Sequence, residues 1–154
     1  MRARDLAVEY ETVSLDADAS APPRLMAQQW LSALLVVDEA GMPKAILPTS
    51  QMVKVLVPMY VVEDPTLAAV VDERHADRLC EAPAGRTVRD CLSKDTPPPA
   101  IAAPDDTAPE VAAQMARLRS PLVAVGNKEA PGVRLLGVIT ASHLLERLLA
   151  ASVA

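Results

Sequence analysis

The chain has 154 residues, of which 51% are hydrophobic, and a formal net charge of −5. This length suits one globular domain or two halves that share a core. The acidic balance, the lack of a Lys/Arg cluster and the scarcity of aromatic residues argue against nucleic-acid binding. No apolar run reaches the roughly 20 residues that span a bilayer, and the charged N-terminus leads into no signal-peptide core. Cys80 and Cys91 lack CxxC spacing and are expected to be reduced thiols, so we expect a cytoplasmic protein without membrane insertion.

The first half of the chain alternates strand-type and helix-type patterns. Its compact apolar run at residues 34–38 is too short for a helix and is bounded by turn residues, so it predicts a buried strand. A helix is expected to begin at Ser20, with Met26 and Trp30 on its apolar stripe. In chain order, the predicted elements are a strand at 12–15, the helix from Ser20, strands at 34–37 and 44–47, and a helix at 51–56.

The linker between the halves carries its own helix signal. Asp64 is an N-cap candidate, and an amphipathic helix is predicted over residues 66–80. His75 lies there among charged residues, on a face expected to be solvated. His75 and His143 are too far apart in the sequence to predict a metal site.

The second half repeats this order of strand and helix patterns, with clearer signals. Thr107 and Glu110 form a capping-box pattern, in which the hydroxyl accepts from the third helical amide and the carboxylate reaches back. Val111, Met115 and Leu118 then follow at i, i+4 and i+7, which predicts one apolar stripe. The predicted elements are a strand at 100–102, this helix, strands at 122–125 and 134–139, and a helix at 142–149.

The two halves can be aligned as copies of one βαββα unit. Residues 20–22 align with residues 107–109 at an offset of 87, and Ile46 aligns with Ile139 at an offset of 93. The second copy is therefore expected to carry a six-residue insertion in its hairpin turn, at residues 126–132.

This repetition predicts the organisation of the whole chain. The fold class is α/β (α+β), with a first repeat at residues 1–62, a linker helix at 63–84 and a second repeat at 85–154. Just ahead of each copy, residues 4–6 are echoed by residues 89–92.

Paired βαββα repeats of this length resemble the CBS-domain family, in which two repeats form a Bateman module. The most specific part is the stretch 136–145, which is similar to the family's closing signature: a strand that ends in Gly-apolar-apolar-Thr, then two more residues, then an Asp that opens the helix. The resemblance implies two repeats related by a pseudo-twofold axis. It also implies a cleft for AMP, ATP or another adenosyl compound such as S-adenosylmethionine, with the Asp on the ribose hydroxyls and the Thr or Ser on phosphate.

The residues at these signature positions differ from that pattern. In the second copy Thr140 is kept, but His143 stands in the Asp position. In the first copy the alignment places Leu47 at the Thr position and Ser50 at the Asp position, with Thr49 beside it. Thr140, His143, Ser50 and Thr49 are therefore the candidate ligand-binding residues. Thr140, Ser50 and Thr49 have a second interpretation as helix N-caps, and His143 as a polar residue left from a lost site.

No nucleophile elbow, phosphate-binding glycine loop or paired-carboxylate constellation appears, so we do not expect an enzyme. The sequence favours a stand-alone regulatory module that senses a small ligand and acts on a partner protein, such as an enzyme or a transporter. The alternative is a nucleotide-free dimeric adaptor with degenerate sites. A homodimer is expected, because the closing helices carry more apolar surface than one copy covers. The residues concerned are Met52, Val53, Leu56, Leu144, Leu145 and Leu148.

Overall fold

The computed structural model describes residues 1–57, 61, 63–70, 85–129 and 132–153. In chain order its elements are α1 (Ala3–Leu6), β1 (Thr12–Ser14), α2 (Ala21–Gln29), β2 (Ala33–Val37), β3 (Pro43–Pro48), α3 (Thr49–Leu56), a 3-10 helix (Pro65–Val70), α4 (Val88–Cys91), β4 (Ile101–Ala102), α5 (Ala108–Leu118), β5 (Leu122–Glu129), β6 (Gly132–Thr140) and α6 (Ala141–Ser152). The start of the predicted linker helix is 3-10 rather than α, and its remainder, with His75 and Cys80, lies outside the described residues.

The described strands form two small sheets of identical topology. In each, a short strand runs parallel to the central strand, which pairs antiparallel with the next: the orders are β1-β2-β3 and β4-β5-β6. The apolar runs of the central strands, residues 33–36 and 122–125, are buried, as expected for strands that are covered on both faces. This confirms the two βαββα units.

The strand register corrects the alignment made from the sequence. Thr12 pairs with Leu35 and Ile101 pairs with Ala124, so the true offset is 89 (12 to 101, 35 to 124). Beyond the hairpins the offset is 92 (45 to 137, 48 to 140). A bulge follows Val36 in one repeat and Val125 in the other, so it is common to both, and the extra residues lie in the longer hairpin of the second repeat. The insertion is therefore three residues rather than six. Residues 126–129 continue strand β5 instead of forming a loop.

The two segments that precede the repeats are exchanged. In α1, the amide of Ala3 donates to the carbonyl of Asp106 at 2.7 Å, so α1 is fixed to the second repeat. In α4, the amide of Val88 donates to the carbonyl of Ala17 at 2.9 Å, so α4 is fixed to the first repeat. Leu6 accordingly belongs to the second core. Each core is therefore completed by the segment that precedes the other repeat. Such a mutual exchange is expected when the two repeats are related by a pseudo-twofold axis.

A third apolar cluster joins the two sheets. It contains buried residues from both central strands, with Tyr10 packed against them. The buried members are Ala33, Leu35, Leu122, Ala124 and Val138. Small side chains at two of these five positions let the sheets approach closely, which is consistent with a chain that has no Phe.

The outer helices expose several residues that the sequence pattern placed on apolar stripes. Met26 is buried, but Trp30 is 94% exposed, because α2 ends there and Trp30 adopts a left-handed backbone with φ 54°. Leu118, the last residue of α5, is half exposed, and the left-handed C-cap of that helix is Arg119. The capping box of Thr107 and Glu110 is present as predicted.

Candidate functional site

The best-formed candidate site lies where β6 ends and α6 begins. Thr140 is the N-cap of α6, and its Oγ1 accepts a hydrogen bond from the amide of His143 at 3.2 Å. This confirms the N-cap interpretation of Thr140 and places Thr140 and His143 together on the first turn. The His143 Nδ1 lies 3.8 Å from a carboxylate oxygen of Glu146 on the same helix. Both Thr140 and His143 are partly exposed.

Two contacts hold this turn against the rest of the second repeat. The amide of Ala141 donates to the carbonyl of Pro121 at 3.0 Å, which ties the start of α6 to the start of β5. One residue into the helix from His143, the buried Leu144 packs in the same core as Ile139 and Leu6. A ligand on this turn would therefore meet a helix end that is held from two sides.

The first repeat does not reproduce this arrangement. The observed register makes Pro48 the counterpart of Thr140 (48 to 140) and Gln51 the counterpart of His143. The sequence alignment, which placed Leu47 and Ser50 there, was wrong by one residue. Pro48 is the N-cap of α3 and has no hydroxyl.

The two candidate hydroxyls of the first repeat lie elsewhere. Thr49 is the first residue of α3, and its Oγ1 donates to the carbonyl of Leu31 at 2.7 Å. Ser50 is exposed on the same turn. Neither is the N-cap of α3, so that interpretation of both residues was wrong. The second repeat alone keeps a capping hydroxyl at the signature position.

Tyr10 is a residue that the sequence analysis did not single out. Its hydroxyl donates to the carbonyl of Ala33 at 2.8 Å, and its ring packs against the cluster between the two sheets. Burial raises the pKa of the Tyr10 phenol above its ordinary value, although hydrogen bonds with Ala33 and Ser32 act in the opposite direction. Tyr10 therefore remains a neutral donor that anchors the entry into β1. The one sequence signal that could have singled out Tyr10 is the scarcity of aromatic residues in this chain.

A second concave region lies at the hairpin end of the first repeat. It has a volume of about 410 Å³ and is lined by Asp38, Lys44 and Arg89 among others. The amide of Met42 donates to the Asp38 carboxylate, which holds the pKa of that carboxyl below its ordinary value, and Lys44 lies 3.6 Å away. These contacts stabilise the β2–β3 turn. The polar groups at this concave region therefore have a structural role in the turn.

Within the described ranges, His, Cys, Asp and Glu form no group of three or more that could hold a metal ion. In the same ranges, no helix is both long enough and apolar enough to cross a membrane.

Comparison with known proteins identifies the family. The family model for the CBS domain matches residues 88–150. A CBS-domain-containing protein of unknown function from Kribbella flavida DSM 17836 superposes with a TM-score of 0.84 and 45% identity, over 97% of this chain and 99% of that chain. The chain belongs to the CBS-domain family. Within it, the described structure is a CBS pair in which the second repeat keeps more of the signature than the first.

More distant CBS structures share the fold. CBSX2 in complex with AMP gives a TM-score of 0.67 at 12% identity, over 98% of each chain. The CBS domain pair of protein MJ0100, in complex with 5'-methylthioadenosine and S-adenosyl-L-methionine, gives a TM-score of 0.64 at 14% identity, over 99% of this chain and 98% of that chain. No curated protein matches the sequence.

Proposed function

We propose that this CBS pair is a regulatory module that binds an adenosyl compound at the start of α6 and passes the binding event to a partner protein. The observation that carries the proposal is the N-cap geometry of Thr140 beside His143 on a partly exposed helix start. Support comes from two CBS pairs of the same fold whose structures hold AMP or S-adenosylmethionine.

The chemistry of Thr140 suits a phosphate or another anionic group. Its Oγ1 accepts from the amide of His143, and the Ser142 Oγ lies at a long 3.5 Å, so the hydroxyl proton can still turn outward to an anion. The positive end of the α6 backbone dipole adds to this attraction. An anion on this turn would gain a hydrogen bond and a favourable field together.

The chemistry of His143 suits a ribose less well than an aspartate would. A carboxylate accepts from two hydroxyls at once, whereas a neutral imidazole offers one acceptor. Loss of a hydrogen bond to a charged group costs about 1.5–3 kcal/mol. An affinity that would have been micromolar is then expected near ~0.1 mM, at about 1.4 kcal/mol per tenfold.

A panel of AMP, ATP and S-adenosylmethionine in a thermal-unfolding assay tests the proposal. A ligand present at about 100 times its dissociation constant adds ~2.7 kcal/mol to the free energy of unfolding, which raises the melting temperature measurably. The proposal predicts such a rise with at least one of the three compounds at about 10 mM, which is 100 times the expected dissociation constant. If none raises the melting temperature, the ligand-sensing role is contradicted.

The second candidate function is a nucleotide-free adaptor. The observation that favours it is that neither repeat has a carboxylate at the signature position, since Gln51 and His143 stand there. In that case the module recognises its partner through its surface alone, and the nucleotide panel leaves its stability unchanged.

A further inference from the structure

The side chain of Tyr10 is connected to the candidate site by a short chain of contacts. Its hydroxyl donates to the carbonyl of Ala33, and its ring packs against the apolar cluster that joins the two sheets. That cluster contains both Ala33 and Leu122, which are equivalent residues of the two central strands at the offset of 89. Leu122 in turn pairs with Thr140 in the register of β5 and β6. The phenol therefore lies at the apolar cluster that adjoins the cap of α6.

The course of the N-terminal segment brings Tyr10 to this place. Val8, two residues before Tyr10, forms an antiparallel bridge with Val138, two residues before Thr140. The segment then enters β1 at Thr12, in the sheet of the first repeat. Tyr10 thus belongs to the stretch of chain that crosses from the second sheet to the first.

The described part of the second repeat has no counterpart of this contact. The offset of 89 places Pro99 at the position of Tyr10, and proline has neither an aromatic ring nor a hydroxyl. The carbonyl of Leu122, equivalent to that of Ala33, accepts instead from the Ser120 hydroxyl at 2.6 Å. A contact that the βαββα fold itself required would be expected in both repeats. The phenol is therefore a feature of one side of the molecule, where the capping hydroxyl is also kept.

The contacts of Tyr10 are those that a purine base would need. A base is a planar ring that gains from burial against apolar side chains, and the exocyclic amine of adenine donates to a carbonyl. Tyr10 supplies both features, a planar ring on the apolar cluster and a donor on the carbonyl of Ala33. While the phenol is in place, this apolar surface is not available to a base.

We propose that Tyr10 determines the ligand specificity of the Thr140 site, because its ring occupies the place between the sheets that a base would take. This inference rests on the proposed function, since it assumes a ribose phosphate on the Thr140 turn. A ribose phosphate without a base binds with Tyr10 in place. An adenosyl compound binds only after the phenol has turned away, so its affinity is reduced by the fraction of chains in that state.

Isothermal titration with AMP and with ribose 5-phosphate tests the inference. Tyr10→Phe keeps the ring but removes its hydrogen bond to Ala33, so the turned-away state becomes more populated. The expected result is AMP binding that is about two- to tenfold tighter than in the unmodified protein, with unchanged binding of ribose 5-phosphate. Ser120→Ala is the matched control, because it removes the hydroxyl that bonds to the equivalent carbonyl, and it should leave the AMP constant unchanged.

Tyr10→Ala gives a second reading, since it removes the ring itself. AMP should bind to Tyr10→Ala at least as tightly as to Tyr10→Phe, and ribose 5-phosphate should again bind as it does to the unmodified protein. AMP binding of equal or lower strength in Tyr10→Phe, or an equal gain in Ser120→Ala, overturns the inference while the proposed function stands. No AMP binding by the unmodified protein or by either Tyr10 variant overturns both.

Discussion

Val8 and Val138 exchange two backbone hydrogen bonds: the amide of Val8 donates to the carbonyl of Val138 at 3.0 Å, and the amide of Val138 donates back at 2.9 Å. Through this pair the N-terminal segment of the first repeat becomes an extra antiparallel neighbour of β6. Since β6 leads directly into Thr140, the candidate site is supported by a segment that comes from the opposite end of the chain.

Gly137 is required by this close approach. A methyl group added at Gly137 would lie 2.7 Å from the carbonyl oxygen of Val8, inside van der Waals contact with a backbone atom. Gly137→Ala is expected to lower the free energy of unfolding by roughly 1–3 kcal/mol, as overpacking usually does. Urea denaturation measures this. The equivalent position of the first repeat is Ala45, which already carries the methyl group. A Gly137→Ala variant as stable as the parent would show that β6 does not need the N-terminal segment so close.

The exchange of segments makes each repeat depend on the other. Leu6 is fully buried in the second core, whereas its counterpart Cys91 is only partly buried beside the first. Leu6→Ala is expected to cost about 2–5 kcal/mol by opening a cavity, and Cys91→Ala, the matched control, markedly less. Urea denaturation of both variants checks the difference. Equal losses would contradict the deeper burial of Leu6 relative to Cys91.

Stability is expected to fall in acid for a definite reason. Backbone amides donate to the carboxylates of Asp38, Asp90 and Glu110, and these bonds, from Met42, Thr87 and Thr107 respectively, hold each pKa below its ordinary value. With the folded pKa lowered, the unfolded chain takes up protons first as pH falls. The stabilisation is therefore complete above about pH 4 to 5, near the ordinary values, and is lost progressively below that.

Urea midpoints measured between pH 7 and pH 3 test this dependence. Glu110→Gln keeps an oxygen that can accept in the capping box but removes the titrating group, so its midpoint should fall less steeply with pH than that of the parent. Parallel profiles for the parent and Glu110→Gln would mean that the capping box contributes nothing to the acid sensitivity.

The element types were predictable from the sequence because their signals are local. The capping box at Thr107 and the apolar run of β5 depend only on neighbouring residues, and both are present. The register was not predictable from residue identity, because the Ser20 and Thr107 segments look alike but are offset. In the first repeat the turn before α2 is fixed by Asp18, whose carboxylate accepts from the amide of Ser20 at 2.8 Å, and the helix begins two residues later than in the second repeat.

The sequence analysis missed features that depend on long-range contacts, because a local sequence pattern does not contain them. The exchange of α1 and α4 depends on which sheet each segment reaches, and this is a long-range choice. The exposure of Trp30 follows from the helix ending at that residue, which turns a position of the expected stripe outward. Thr140 and His143 were found because the closing signature is contiguous. Their first-repeat counterparts, Pro48 and Gln51, needed the observed strand pairing.

A carboxylate in place of His143 should strengthen ribose binding. His143→Asp restores an acceptor for both ribose hydroxyls and is expected to tighten AMP and adenosine alike, by about ten- to a hundredfold. The matched control is Gln51→Asp, which adds the same carboxylate at the equivalent position of the first repeat, after Pro48 instead of a hydroxyl. Competition binding with AMP and adenosine measures both. A larger gain in affinity for Gln51→Asp than for His143→Asp would indicate that the ligand binds at the first repeat instead.

Isothermal titration of AMP into the unmodified protein and Thr140→Val tests the central claim most directly. Thr140→Val keeps the shape of the side chain but removes the hydroxyl, and Thr140→Ser, which keeps the hydroxyl, controls for the change at the N-cap. The account predicts a dissociation constant near ~0.1 mM for the unmodified protein. It also predicts about ten- to a hundredfold weaker binding by Thr140→Val and near-normal binding by Thr140→Ser, since a hydrogen bond to a charged group is worth about 1.5–3 kcal/mol. Equal AMP affinity in the unmodified protein and Thr140→Val would contradict it.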